Sequence, residues 1–211
     1  MKKPAFLTTL FCLLFAATVS AQSFGVRLGV NNTNVKFDVG NTEIDTDGRT
    51  DLMLGAFVNL PIGTNLFSIQ PEINYLNRGY KQDGVSVGGV NVGDFETSIA
   101  YLDLGVLARL NFNQDGPVGF YVGAGPYFSY AVSGSVEDSS GDRDIDFDAD
   151  RLNRSGTQVA GVAGVTFGGP LRFFAEARYM GALSNLSDQN DFDVRQRAIG
   201  LNGGIMIPLG N

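Results

Sequence analysis

From Phe67 to Leu76 the side chains alternate, with Phe67, Ile69, Pro71, Ile73 and Tyr75 at odd positions and Ser68, Gln70, Glu72 and Asn74 at even ones. Successive side chains of a strand point to opposite faces, so this period of two predicts a strand with one apolar and one polar side. From Ala100 to Phe112 the even positions are apolar (Ala100, Leu102, Leu104, Val106, Ala108, Leu110, Phe112), while the odd ones include Tyr101, Asp103, Gly105 and Arg109. The same two-sided pattern predicts strands at Phe24–Val30, Asp51–Leu60, Phe120–Tyr130, Leu171–Met180 and Ala198–Leu209. Gln158–Phe167 is rich in Gly, Ala and Val and fits a strand whose facing is ambiguous. Eight strands result, and no segment has the 3.6-residue periodicity of a helix.

The connections alternate in length. Pro61–Asn65, Asn113–Pro117 and Gly168–Pro170 are short and carry the Gly, Pro and Asn/Asp chemistry of tight turns. Between the other strand pairs lie long polar segments, roughly 31–49, 77–96, 133–157 and 184–197. Short turns at one end and long loops at the other is the layout of an all-β, eight-stranded antiparallel up-and-down transmembrane β-barrel, its loops outside and its turns in the periplasm.

A soluble barrel alternates as well, with its apolar face inward, and three features select the inverted arrangement. The polar face carries Arg27, Glu72, Asp103, Arg109, Glu176 and Arg178, three bases and three acids. Balance of that kind suits a closed lumen, where an unpartnered buried charge costs about 3–5 kcal/mol. These six residues are expected to form a structural ion-pair network. On the apolar face Phe67, Phe112, Phe120 and Phe173 lie beside the short turns, and Tyr75, Tyr130 and Tyr179 beside the long loops. At about 3.3 Å per residue and a tilt near 40°, the ten residues from Phe120 to Tyr130 project to roughly 25 Å, the height of a lipid-facing band. Glycines at inward positions (Gly29, Gly55, Gly105, Gly123, Gly125, Gly204) leave room for the long side chains in a lumen that eight strands make only just wide enough to fill.

Lys2 and Lys3, the apolar run Ala5–Ala17 and the small residues Val19-Ser20-Ala21 read as a secretory signal. Residues 1–21 are therefore expected to be removed and 22–211 to form the barrel domain, exported by the general secretory route. The single cysteine, Cys12, falls in that leader, so the mature chain has neither a thiolate nor a disulfide. Beyond the leader, 13 basic side chains face 22 acidic ones, and that balance argues against nucleic acid as a partner. The segment 133–157 alone holds seven acidic and three basic residues.

Tyr101-Leu102-Asp103-Leu104-Gly105-Val106-Leu107-Ala108-Arg109, then Gly119-Phe120-Tyr121-Val122-Gly123-Ala124-Gly125-Pro126-Tyr127, then Phe173-Phe174-Ala175-Glu176-Ala177-Arg178-Tyr179 resemble the PorT-type outer-membrane β-barrel domain, a small barrel of the OmpA/OmpX kind. The resemblance spans essentially the whole mature chain. It implies a location in the outer membrane of a Gram-negative bacterium and implies no particular chemistry.

Histidine is absent, so nucleophilic catalysis with a His base has nothing to work with. Glu72, Asp103 and Glu176 could pair for glycosidic acid–base work, but they share a face with arginines and read as ion-pair partners. Asp142, Asp144, Asp146, Asp148 and Asp150 alternate along one edge, and carboxylates are what calcium prefers. The calcium-loop template fails, with Ala149 where a Gly is required and Ser155 where a Glu closes the loop. A solvated acidic loop or strand extension is the simpler reading, with surface calcium as the alternative. No cofactor is expected. The expected function is non-enzymatic: surface interaction, adhesion or envelope stabilisation through four acidic outer loops. The alternatives are an accessory scaffold for an envelope transport or secretion machine, and a narrow leak for ions or water. The expected partners are outer-membrane lipid and another envelope or surface protein, with the barrel itself monomeric.

Overall fold

The computed structural model describes residues 22–39, 42–45, 47–63, 65–82, 85–87, 90–92, 95–114, 116–138, 141–147, 149, 152–183 and 193–209. The leader, Cys12, Asp148 and Asp150 lie outside them. Eight long strands, β1 (Ser23–Val39), β2 (Asp47–Ile62), β3 (Phe67–Gln82), β4 (Phe95–Phe112), β5 (Val118–Asp138), β6 (Ser155–Gly168), β7 (Arg172–Ala182) and β8 (Asp193–Pro208), each pair antiparallel with their chain neighbours. The β8–β1 ladder, from Ser23 opposite Pro208 to Asp38 opposite Asp193, closes the ring. A closed ring leaves no strand edge in lipid, where an unpaired backbone group costs several kcal/mol. Each of the three short turns carries one residue with positive φ, namely Gly63 (68°), Asn113 (54°) and Gly168 (120°).

The facing follows the sequence alternation. Leu52, Leu54, Ile73, Leu104, Val106, Val122, Ile199 and Leu201 are exposed on the outside, while Arg27, Gln70, Glu72, Asp103, Arg109, Glu176 and Arg178 are buried inside. The outer surface is thus apolar and the interior charged, which only a lipid surround makes stable. Aromatic rows bound the apolar band. Phe67, Phe112, Phe120, Phe167 and Phe173 ring the turn end, Phe167 stacking on Phe173 at 5.8 Å between centroids. Tyr75, Tyr130 and Tyr179 ring the other end, with Tyr75 and Tyr130 flanking Leu102 in register.

Three expectations need correction. The long polar segments are in large part strand: β1, β3, β5 and β8 run well past the tyrosine row, and the short strands Thr42–Asp45 and Gly141–Asp144 add to the ends of β1 and β5. Above the lipid the outer face of a strand is wet as well, so the apolar alternation stops while the hydrogen-bond ladder continues, and the inner face stays buried and polar at Asn31, Thr33 and Arg78. Ala100, expected on the lipid face, is buried, at the point where the β4–β5 ladder shifts register because β5 bulges at Val132. In β6 the ambiguity resolves with Gln158, Ala160, Val162 and Thr166 inward and Val159, Ala163 and Phe167 outward.

The band makes lipid-face charge costly in a depth-dependent way. Val106, midway between the rows opposite Phe67 and Tyr75 (Leu110 and Leu102), is a midplane position. Val106→Arg should lower stability by about 2–4 kcal/mol, and Leu52→Arg, above the tyrosine row, by about 0–1 kcal/mol. Urea unfolding in phospholipid vesicles measures both, and equal costs would displace the band.

Candidate functional site

The interior is built around Glu72, at the middle of β3. Its Oε2 accepts from Arg27 Nη2 (2.9 Å) and Gln70 Nε2 (2.7 Å), and its Oε1 from Arg178 Nη1 (2.6 Å), Asn74 Nδ2 (3.0 Å) and the Tyr127 hydroxyl. Glu176 on β7 accepts from Arg178 Nε and Nη2 (3.1 and 3.0 Å), Arg27 Nη1 (3.3 Å) and the Tyr121 hydroxyl (2.9 Å). Arg27, Glu72, Arg178 and Glu176 therefore form a ring of alternating charge. β3 and β7 are four strands apart in a ring of eight, so the Arg178–Glu72 pair crosses the full lumen.

Apolar layers close the barrel on both sides of this ring. Toward the turns Phe57 and Phe174 meet edge to face at 5.5 Å beside Met206, and the Arg27 guanidinium lies 4.7 Å over the Phe57 ring. Toward the loops Met53, Leu76, Tyr101 and Ala131 receive Ile145 and Phe147, which fold back from the segment joining β5 to β6. That return is held by Ile145 N donating to Gly134 O (2.9 Å), by Leu152 N donating to Phe147 O (2.9 Å), and by Arg154 over the Phe147 ring at 4.5 Å. Tyr127 lies in the lumen because Gly105 lets it: a Cβ at Gly105 would stand 2.1 Å from Tyr127 Cε1.

The six lumen residues read from the sequence do not form one network. Arg27, Glu72, Glu176 and Arg178 meet in the ring, whereas Asp103 pairs with Arg78. Arg78 belongs to the polar segment 77–96 that the sequence predicts as a loop, but β3 carries it into the lumen, 4.8 Å over the Tyr101 ring. Its signal was parity: Gln70, Glu72 and Asn74 point inward, and Arg78 shares their phase beyond an apolar Leu76. Arg109 donates to Gln70 Oε1 and lies 3.7 Å over the Tyr121 ring, with no carboxylate bonded to it. At the outer rim Arg49 joins Asp51 and Glu96 (3.0 Å each), and Lys81 joins Glu96 (2.8 Å).

Above the rim Asp142, Asp144 and Asp146 are exposed. Among the described residues no group of three or more Asp, Glu or Cys side chains lies close enough to hold a metal ion. Ile145 and Phe147, the apolar positions alternating with these aspartates, are the anchor that the acidic run concealed.

Glu72→Ala leaves Arg27 and Arg178 sharing one carboxylate and should cost about 3–5 kcal/mol, measured as a lowered urea midpoint and as loss of heat-resistant mobility on gels. Gly105→Ala displaces Tyr127 from Glu72 and should cost about 1–3 kcal/mol by the same measure.

Residues 20–188 match the family of outer membrane protein beta-barrel domains. No curated protein sequence matches the chain. Among solved structures, the outer membrane protein OprG of Pseudomonas aeruginosa is 14% identical over 90% of this chain and 98% of its own, with a TM-score of 0.48. Ail, the attachment invasion locus protein of Yersinia pestis, solved with the heparin analogue sucrose octasulfate, is 16% identical over 89% of this chain and 99% of its own, with a TM-score of 0.45. Neisserial surface protein A is 15% identical over 88% and 96%, also at 0.45. With four-fifths of its length matched, its strands closed into a ring and its greasy face outermost, the chain belongs to the outer membrane protein beta-barrel domain family and is an integral outer-membrane protein of Gram-negative bacteria.

Proposed function

We propose that this is a non-enzymatic surface protein of the PorT type, exported by the general secretory route after loss of residues 1–21, whose working part is the crown that its strands raise above the lipid. One contrast carries the reading: the lumen is bridged from wall to wall, while the exposed acids sit on the crown. The two carboxylates of the ring are enclosed and engaged, Glu72 accepting from six N–H or O–H groups on five side chains and Glu176 from four on three, which argues against their acting on a substrate. A charged ring bridged at 2.6 Å, with an apolar layer on either side, supports a plugged barrel rather than a leak. On the crown, Glu137, Asp142, Asp144 and Asp146 are all exposed. With Arg78 withdrawn into the lumen the crown is more acidic than the sequence segments imply, a field that attracts cationic surfaces and repels anionic ones.

Cells carrying the triple variant D142N/D144N/D146N should lose severalfold in retention on cationic surfaces while the barrel stays folded and protease shaving still removes the crown. Unchanged retention, together with a stoichiometric envelope partner after mild detergent extraction, would establish the accessory-scaffold role instead. Planar bilayers should show no discrete conductance steps, which checks the plugged lumen separately.

A further inference from the structure

The described residues place four buried guanidiniums inside the barrel, those of Arg27, Arg78, Arg109 and Arg178. The buried carboxylates are Glu72, Asp103 and Glu176, with Asp51 at the rim taken by Arg49. Arg27 and Arg178 are neutralised by Glu72 and Glu176 in the ring, and Arg78 by Asp103. Arg109 is left over: a whole positive charge, 2% exposed, with no carboxylate of its own.

Its bonded surroundings are neutral. Nη1 donates to the Gln70 amide oxygen, and the flat face of the guanidinium covers the Tyr121 ring. Glu176 lies beyond that ring, its oxygens occupied by the Tyr121 hydroxyl, Arg27 and Arg178. Nε and Nη2 of Arg109 have no hydrogen-bond partner. Arg27 and Arg78 also have an unpartnered Nε, but each bonds a carboxylate through a terminal nitrogen. In Arg109 the two free donors form one edge of the guanidinium, the pair of parallel N–H bonds that grips an anion from two points.

Two residues along β4 on the same face, Asn111 lines a polar chamber of about 160 Å³ at the turn end of the barrel, with Ser23, Asn59, Gln114 and Arg172. The amide oxygens of Asn59 and Asn111 are buried without partners, so the chamber's walls favour water over hydrocarbon.

We propose that Arg109 binds one small monovalent anion of the charge and size of chloride through Nε–H and Nη2–H. The ion completes the charge balance that the other three arginines achieve with protein carboxylates. The inference rests on the lumen alone and is independent of what the crown binds.

The test is a thermal melt of the folded protein in detergent, titrated with chloride or bromide against gluconate, an anion too large for the site, at constant ionic strength. The melting temperature should rise with halide along a single-site curve, by roughly 5 °C at saturation, and Arg109→Gln should abolish the rise. No halide-specific rise in the wild-type protein, or an equal rise in the variant, overturns the proposal. If Arg109→Gln fails to fold, wild-type crystals grown in bromide decide: an anomalous peak within hydrogen-bond distance of Nε and Nη2 supports the site, and water there overturns it.

Discussion

A guanidinium enclosed by eight strands and a lipid shell has few ways to remain charged, and the carboxylate of Glu72 supplies most of them. Five side chains from β1, β3, β5 and β7 donate to it. Because its partners come from opposite walls, the same contacts that solvate the buried charges also tie the two sides of the barrel together. A buried ion pair gains little over well-packed apolar residues of the same volume, but losing one partner is severe. That asymmetry makes the interior intolerant of piecemeal change. Gln70 illustrates it: a polar residue at the edge of the ring, it accepts from Arg109 and donates to Glu72, so even this neutral position is committed on both sides.

The lipid face obeys a looser rule. Its side chains need only be apolar and of a size to cover the strands, so Leu, Ile, Val and Phe interchange there with little consequence beyond area. Specificity lies inside, where Gly105 yields space to Tyr127 and Gly204 to Phe174. The division explains a composition of 28 glycines in 211 residues without any helix among the described ones: small residues are placed where large ones must cross the lumen.

How much of this could be read from the chain depends on what the alternation encodes. Val26, Leu28 and Val30 against Arg27 and Gly29, or Phe173 to Tyr179 against Glu176 and Arg178, show their facing directly, because lipid and lumen impose opposite chemistry at every step. The signal fades where the constraint does. Beyond Val30 and Tyr75 the outer face leaves the lipid and turns polar while the inner face stays polar too, so the upper parts of β1 and β3 read as loop, Arg78 with them. In β6, Ala160 and Val162 are apolar yet inward, because they pack in the lumen with Leu107, Tyr121, Tyr127, Met180 and Ala198. The pairing of particular charges was not legible at all. Which arginine meets which acid depends on register across four strands, and periodicity along a single strand carries no record of that.

The bookkeeping of the alternating ring has a meaning for how the molecule is assembled. Arg27 and Glu72 both come from the first three strands, Arg78 and Asp103 from the third and fourth, and Glu176 and Arg178 from the seventh alone. Each portion of the hairpin series is thus electrically neutral on these residues before the two ends of the sheet meet. Arg109 on β4 apart, the sheet carries these buried charges as local pairs, and the meeting of β8 with β1 closes the ring in which Arg178 faces Glu72. Closure itself is then the step that joins two local pairs into a brace across the whole cylinder.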